Sequence, residues 1–132
     1  MSVQNAYNAY KQNSVTTASP GELTLMLYNG CIKFIHQAKK AIELKDIPNR
    51  NKYIQKSQAI LIELMATLNM DIPVSKDMYN LYEYMHYQLT QANIKNDASI
   101  LDEVESLTVD FRDTWKQVIQ MNRQRQYTGN QI

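Results

Sequence analysis

The sequence predicts an all-α protein, an antiparallel up-down-up-down four-helix bundle preceded by an N-terminal segment. Three observations lead there. Apolar residues recur at three- and four-residue spacing in four successive stretches, the period of a helix buried along one face. Only three Gly and three Pro interrupt 132 residues, and Pro20, Pro48 and Pro73 stand where a helix begins or just before it. The connections between the stretches are short enough to make neighbouring helices antiparallel.

Residues 1–19 form a polar leading segment whose only large side chains are Tyr7 and Tyr10. Tyrosines three apart share one face of a helical turn, so the segment can press two rings into a groove. Ser19-Pro20-Gly21-Glu22 then reads as a capping box with Pro at the first helical position. The bundle is expected over residues 20–125. Its first helix runs from Pro20 to Leu44 and buries Leu23, Leu27, Cys31, Phe34, Ile35, Ala38 and Ile42. It stops at Lys45-Asp46-Ile47-Pro48, because the residue before a proline is pushed out of the α region.

The second helix spans Pro48 to Asn69, with Tyr53, Ser57, Ile60, Leu61, Leu64 and Leu68 as its stripe. Asn69-Met70-Asp71-Ile72-Pro73 breaks the pattern, and Ser75 is the expected N-cap of the third helix. That helix covers Lys76 to Lys95 and buries Met78, Leu81, Tyr82, Met85, Leu89 and Ala92. Asn96-Asp97 makes a tight connection with Asp97 as the next cap. The fourth helix runs from Ala98 to Arg125 through Leu101, Val104, Leu107, Phe111, Trp115, Val118 and Ile119. Residues 126–132 are left as a polar C-terminal tail that frays.

Composition narrows the function. A formal net charge of +1 offers no global electrostatic attraction for nucleic acid, which wants a clustered basic surface, and the Lys and Arg read as scattered among acids. The single cysteine, Cys31, suits a reducing compartment and lies on an apolar stripe, where a buried thiol is inert. No apolar run approaches the ~20 residues of a membrane span. The N-terminus lacks the charged-then-apolar layout of a signal peptide. A cytoplasmic domain without membrane insertion is the expectation.

A bundle helix needs one apolar stripe, and this chain has apolar residues to spare. Leu25 and Ile32 lie off the stripe of the first helix, Ile62 is displaced on the second, and Met65 sits at its edge. On the third helix Tyr84, Tyr87 and Ile94 form a second stripe nearly opposite the first, with Tyr79 also off the core, and Val109 is a lone case on the fourth. Singly, each reads as an ordinary surface residue. Together they outline apolar walls of the kind that accept an amphipathic helix. Leu25, Ile32, Ile62, Met65, Tyr79, Tyr84 and Tyr87 are therefore the candidate groove residues.

Catalytic chemistry is not visible. Glu83-Tyr84-Met85-His86 has the Glu-x-x-His spacing of di-iron bundles, but the second copy and the two further glutamates are missing. His36 falls on the polar side of the first helix. Asp102, Glu103 and Glu105 decorate a helix start, where acids favour the dipole. No nucleophile–base pair stands out and no Gly-rich loop could cradle a phosphate. The expectation is a non-enzymatic protein with no metal and no cofactor.

Three segments carry a resemblance. Ala9-Tyr10, Ser14-Val15, Ala18-Ser19-Pro20, Leu23 and Met26-Leu27-Tyr28-Asn29-Gly30 are similar to the start of the flagellin-specific export chaperones. Leu81-Tyr82-Glu83-Tyr84-Met85 with Gln91-Ala92-Asn93-Ile94-Lys95-Asn96-Asp97 resembles that family's third helix and the following turn. Glu103-Val104-Glu105, Arg112 and Trp115-Lys116 resemble its fourth. The resemblance implies an ATP-independent cytoplasmic chaperone whose client is the C-terminal region of flagellin. It also implies delivery of that client to the export gate of the flagellar type III secretion system. By the same resemblance the N-terminal segment is a lid over the client pocket, with Tyr10 at the matching aromatic position and Tyr7 one turn earlier. The rival reading is a self-associating structural bundle, in which the surplus apolars form a homo-oligomer seam and no flagellin is bound.

Overall fold

A computed structural model of the protein describes residues 19–130. Four helices follow one another: α1 (Pro20–Glu43), α2 (Ile47–Ala66), α3 (Pro73–Lys95) and α4 (Ala98–Asn130). Local chemistry explains most of their ends. The Ser19 hydroxyl accepts from the Glu22 N–H at 3.2 Å, which satisfies one of the free donors of the first turn. The Glu22 carboxylate does not return to close the box and instead pairs with Arg123 at the far end of α4.

After α1 the chain turns through Lys45, whose φ of 57° is left-handed, and Asp46 caps α2. Its carboxylate accepts from the Asn49 N–H at 3.2 Å and from the Asn49 amide at 2.7 Å. With that cap in place Ile47 is helical, so α2 begins one residue before Pro48. It ends at Ala66 rather than Asn69. There the Thr67 hydroxyl donates to Leu64 O at 2.7 Å, and Asn69 Oδ1 takes the Asp71 N–H in an Asx turn.

The α3 start also differs from expectation. Pro73 opens the helix, Ile72 occupies the cap position without a side-chain bond, and Ser75 is buried inside the first turn. Proline supplies the helical φ and has no N–H to satisfy, so the helix starts there without a polar cap. At the other end Asn96 adopts the left-handed conformation. Asp97 then caps α4, accepting from the Ser99 N–H at 2.9 Å and the Ser99 hydroxyl at 2.6 Å. No proline follows Arg125, and α4 continues to Asn130.

Contacts between the helices make every neighbouring pair antiparallel. Gly30 of α1 lies against Ile60 of α2, while Phe34 stacks on Tyr53. Arg50 near the start of α2 donates to Asn93 and Asn96 at the end of α3, both at 2.8 Å. Gln88 and Tyr84 in the second half of α3 reach Glu103 in the first turns of α4. The Trp115 indole donates to Gly21 O at 2.7 Å, which closes the ring between α4 and the start of α1. A Cβ on Gly30 would come within 3.2 Å of Ile60 Cδ1, so glycine there lets α1 and α2 approach closely.

The core is continuous through the bundle. Leu27, Tyr28, Cys31, Ile35 and Ala38 of α1 meet Ile54, Ile60, Leu61 and Leu64 of α2, Tyr82, Met85, Leu89 and Ala92 of α3, and Leu101 and Val104 of α4. Phe111 and Trp115 pack against it, half-buried. Tyr28 and Tyr82 share a 2.6 Å hydroxyl–hydroxyl bond across the diagonal between α1 and α3, and Phe111 lies against both rings. Burial of a phenol is tolerable when its hydroxyl has a partner.

Two parts of the expected core change. Leu81 is 41% exposed, because the inward position goes to the adjacent Tyr82, which has Tyr28 to bond. Tyr28, Ile54 and Thr108 are buried although none belongs to the expected stripes. Thr108 and Ser57 satisfy their hydroxyls on the backbone carbonyls four residues earlier, the back-bonding that lets a short polar side chain enter a helix core.

Candidate functional site

The candidate groove residues divide between opposite sides of the ring. On α1, Leu25 and Ile32 share a helical row with His36 and Lys39, at spacings that bring residues back to one face. That row faces α4. His36 Nε2 lies 2.8 Å from Glu105 Oε2, and Lys39 Nζ lies 2.6 Å from Asp102 and 3.5 Å from Glu105. Asp102 and Glu105 thus bind the α1–α4 seam together as well as standing near a helix start. Lys39 is held above its usual range, first by its bond to Asp102. Leu25 and Ile32 are both half-buried along this seam.

Ile62 and Met65 belong to the opposite seam. They follow Gln58 along one row of α2, and the Gln58 amide bonds His86 O at 3.2 Å and Thr90 Oγ1 at 2.8 Å on α3. Tyr79 shares the α3 row with His86 and overlooks the same seam from the other wall. Ile62 is 55% exposed, Met65 packs partly into the core, and Tyr79 is half-buried. Tyr87 and Ile94 stand at the outward pole of α3, 58% and 72% exposed.

Tyr84 turns toward α4, where its hydroxyl donates to Glu103 at 2.5 Å. That bond fixes the ring on the α3–α4 seam and raises the phenol above its ordinary range. Exposed Leu81 enlarges the apolar surface of α3. Met70, Ile72 and Val74, in and after the α2–α3 connection, are exposed as well. Sequence periodicity had no means of finding these three, because they sit where the helical pattern breaks. Tyr7 and Tyr10 lie outside the described residues.

The remaining polar candidates stand apart from any reactive arrangement. Cys31 is fully buried, its thiol directed at Ser57 O and pushed up to about 12 by burial. Such a thiol supplies no thiolate near neutral pH. Glu83 is exposed on α3. Among the described residues no group of three or more His, Cys, Asp or Glu side chains is arranged to hold a metal ion. No described helix is long and apolar enough to cross a membrane. Exposed apolar side chains and hydrogen-bonding groups share the surface around α3.

Comparison with known proteins agrees along nearly the whole length. The family model described as flagellar protein FliS matches residues 3–122. The flagellar secretion chaperone FliS of Bacillus subtilis (strain 168) is 54% identical, with 100% of this chain and 99% of that protein covered. The protein of the same name from Campylobacter jejuni is 36% identical, covering 86% of this chain and 90% of its own length. A crystal structure described as a flagellar chaperone from bacteria superposes with a TM-score of 0.72 at 20% identity, over 89% of this chain and 97% of the other. That likeness bears on the fold alone. Matched by the family model from residue 3 to residue 122, and more than half identical to a relative from end to end, the chain belongs to the FliS family of flagellar secretion chaperones.

Proposed function

We propose that the protein holds the C-terminal segment of flagellin in the cytoplasm and hands it to the export gate of the flagellar type III apparatus, without ATP and without catalysis. One observation carries this reading. Ile62 on the α2–α3 seam, Tyr87 at the outward pole of α3 and Tyr84 on the α3–α4 seam remain exposed on a bundle whose core is already filled by other residues. An uncovered apolar face of this kind suits an amphipathic helical client. Leu25 and Ile32, on the opposite seam, suit a client that wraps around the bundle rather than lying in one groove. A chain that folds as it binds gives up about 2–5 kcal/mol in ordering, and a surface on two sides of the bundle supplies the apolar area to offset it.

In this reading residues 20–125 are the client-binding bundle, residues 1–19 a lid and residues 126–132 a tail. Tyr7 and Tyr10 are the lid residues that the client displaces. Intact flagellin should co-purify with the protein, and flagellin shortened by its C-terminal segment should not. The double variant Ile62→Ala/Tyr87→Ala should lose about tenfold or more in flagellin affinity while staying folded, as interface anchors do. Unchanged affinity would remove the α2–α3 side from the client site. A dimer that resists dissociation by added flagellin in sedimentation would instead favour the self-associating bundle.

A further inference from the structure

The net charge of +1 conceals a division. Residues 33–56 contain seven Lys or Arg against two acids, and residues 97–113 contain six acids against one Arg. The basic residues are grouped rather than scattered. Some of the opposing charges meet at the α1–α4 seam, where Lys39 takes Asp102 and Glu105. On the α1–α2 side Lys33, Lys52 and Lys56 have no salt bridge to an acid among the described residues. Lys56 Nζ lies 5.2 Å from the centre of the Phe34 ring and 5.6 Å from that of Tyr53, and Lys52 Nζ lies 5.5 Å from the Tyr53 ring. The two rings are stacked, 6.3 Å apart and 19° from parallel. Lys33, on α1, adds its charge to that of Lys52 against the Lys56 ammonium.

Among the described residues no salt bridge joins any of these three lysines to an acid, and Lys52 and Lys56 lie over the two rings instead. Burial, and then the charges of Lys52 and Lys33, hold the Lys56 ammonium below the usual lysine range. Like charges gathered over an apolar floor repel, and ring quadrupoles return only part of that. A bound anion reverses the sign of the local interaction.

We propose that Lys52 and Lys56, over the stacked rings of Phe34 and Tyr53, form with the neighbouring charge of Lys33 a docking surface for an acidic peptide segment of a partner protein. Two point charges over an aromatic floor, with a third beside them, match carboxylates interleaved with apolar side chains. Lys52 and Lys56 converge on one ring pair and do not track along a strand, as phosphate-backbone contacts do. The surface lies on the α1–α2 side, away from Ile62, Tyr84 and Tyr87. The inference therefore goes beyond the flagellin reading and does not depend on it.

A labelled peptide alternating glutamate and leucine, with its glutamine counterpart as control, is the probe, titrated into the full chain at low and at high salt. The glutamate peptide should bind and the control should not, with affinity falling as salt rises. The triple variant Lys33→Gln/Lys52→Gln/Lys56→Gln should weaken binding by at least about tenfold, the size expected when three screened ion pairs go together. The Lys56 side-chain resonance should titrate at higher pH when the peptide is bound. Binding of the flagellin C-terminal segment should be unchanged in the variant. Equal binding of the glutamine peptide, or no effect of the variant, overturns the proposal. So does tighter binding of a single-stranded oligonucleotide of equal charge, or a signal that follows self-association of the chain. Loss of flagellin-segment binding in the variant would put the lysines in the client site and overturn the separate surface.

Discussion

α1 and α3 are diagonal partners joined by one hydroxyl pair, yet they treat their apolar residues in opposite ways. Within α1 the large apolar side chains are buried or half-buried, because the helix is pressed between α2 and α4 with Gly30 allowing close approach to Ile60. α3 buries Tyr82, Met85, Leu89 and Ala92 but leaves Val74, Leu81, Tyr84, Tyr87 and Ile94 exposed. Two helices of similar composition thus divide the work. α1 holds the fold together, while α3 contributes one row to the fold and keeps another uncovered. An exposed apolar row that the fold does not need is available to a partner.

The largest effect that sharpens this contrast comes from residues two apart on α3. Leu89→Ala empties a fully buried site and should lower stability by about 2–5 kcal/mol, with Ile35→Ala on α1 in the same range. Tyr87→Ala removes a side chain from the outward pole and should stay within about 0.5 kcal/mol of the parent. Urea denaturation of the three variants measures it. A Tyr87→Ala cost comparable to that of Leu89→Ala would mean that the outer row belongs to the fold.

The link between the two helices gives a smaller effect with a distinctive pattern. Among the described residues Tyr28 and Tyr82 bond to each other alone through their hydroxyls, and burial raises both phenols above their usual range. Tyr28→Phe or Tyr82→Phe leaves one buried hydroxyl without a partner, which costs about 1–3 kcal/mol. Removing both should cost less than the sum of the singles, since both rings still pack against Phe111 and no polar group is stranded. Additive losses would show that each hydroxyl has another partner.

The difference between α1 and α3 also marks how far the sequence could be read. A single dominant stripe on α1 made its buried face legible, and proline and acid signals placed three of the four helix starts to within one residue. α3 offers two apolar rows, and periodicity does not say by how much the helix is rotated. Leu81 and Tyr82 are adjacent, and what turns Tyr82 inward is a hydroxyl partner 54 residues away in sequence. Among the candidate groove residues, off-stripe periodicity found the exposed ones on α2 and α3. It did not reveal that Leu25 and Ile32 face the opposite seam, because that depends on the order of helices around the ring. The lysine cluster was hidden by a net charge that sums the basic α1–α2 region with the acidic start of α4.

The smallest effect concerns the joint through which α3 passes its orientation to α4. Asn96 turns left-handed and Asp97 caps the next helix, so this corner sets where Glu103 stands against Tyr84 and Gln88. Bonds from the Ser99 hydroxyl and N–H hold the Asp97 carboxyl below the usual carboxylate range. Its folded pKa is depressed, so the ionised cap contributes stability above the unfolded value of about 3.9 and loses it as pH falls through the lower folded value. Asp97→Asn keeps a side-chain oxygen for the cap and removes the titration. The parent should therefore exceed the variant modestly at neutral pH, and the gap should close in denaturation curves taken below about pH 4. A gap independent of pH would mean that the cap acts through geometry alone and that its charge adds nothing to the corner.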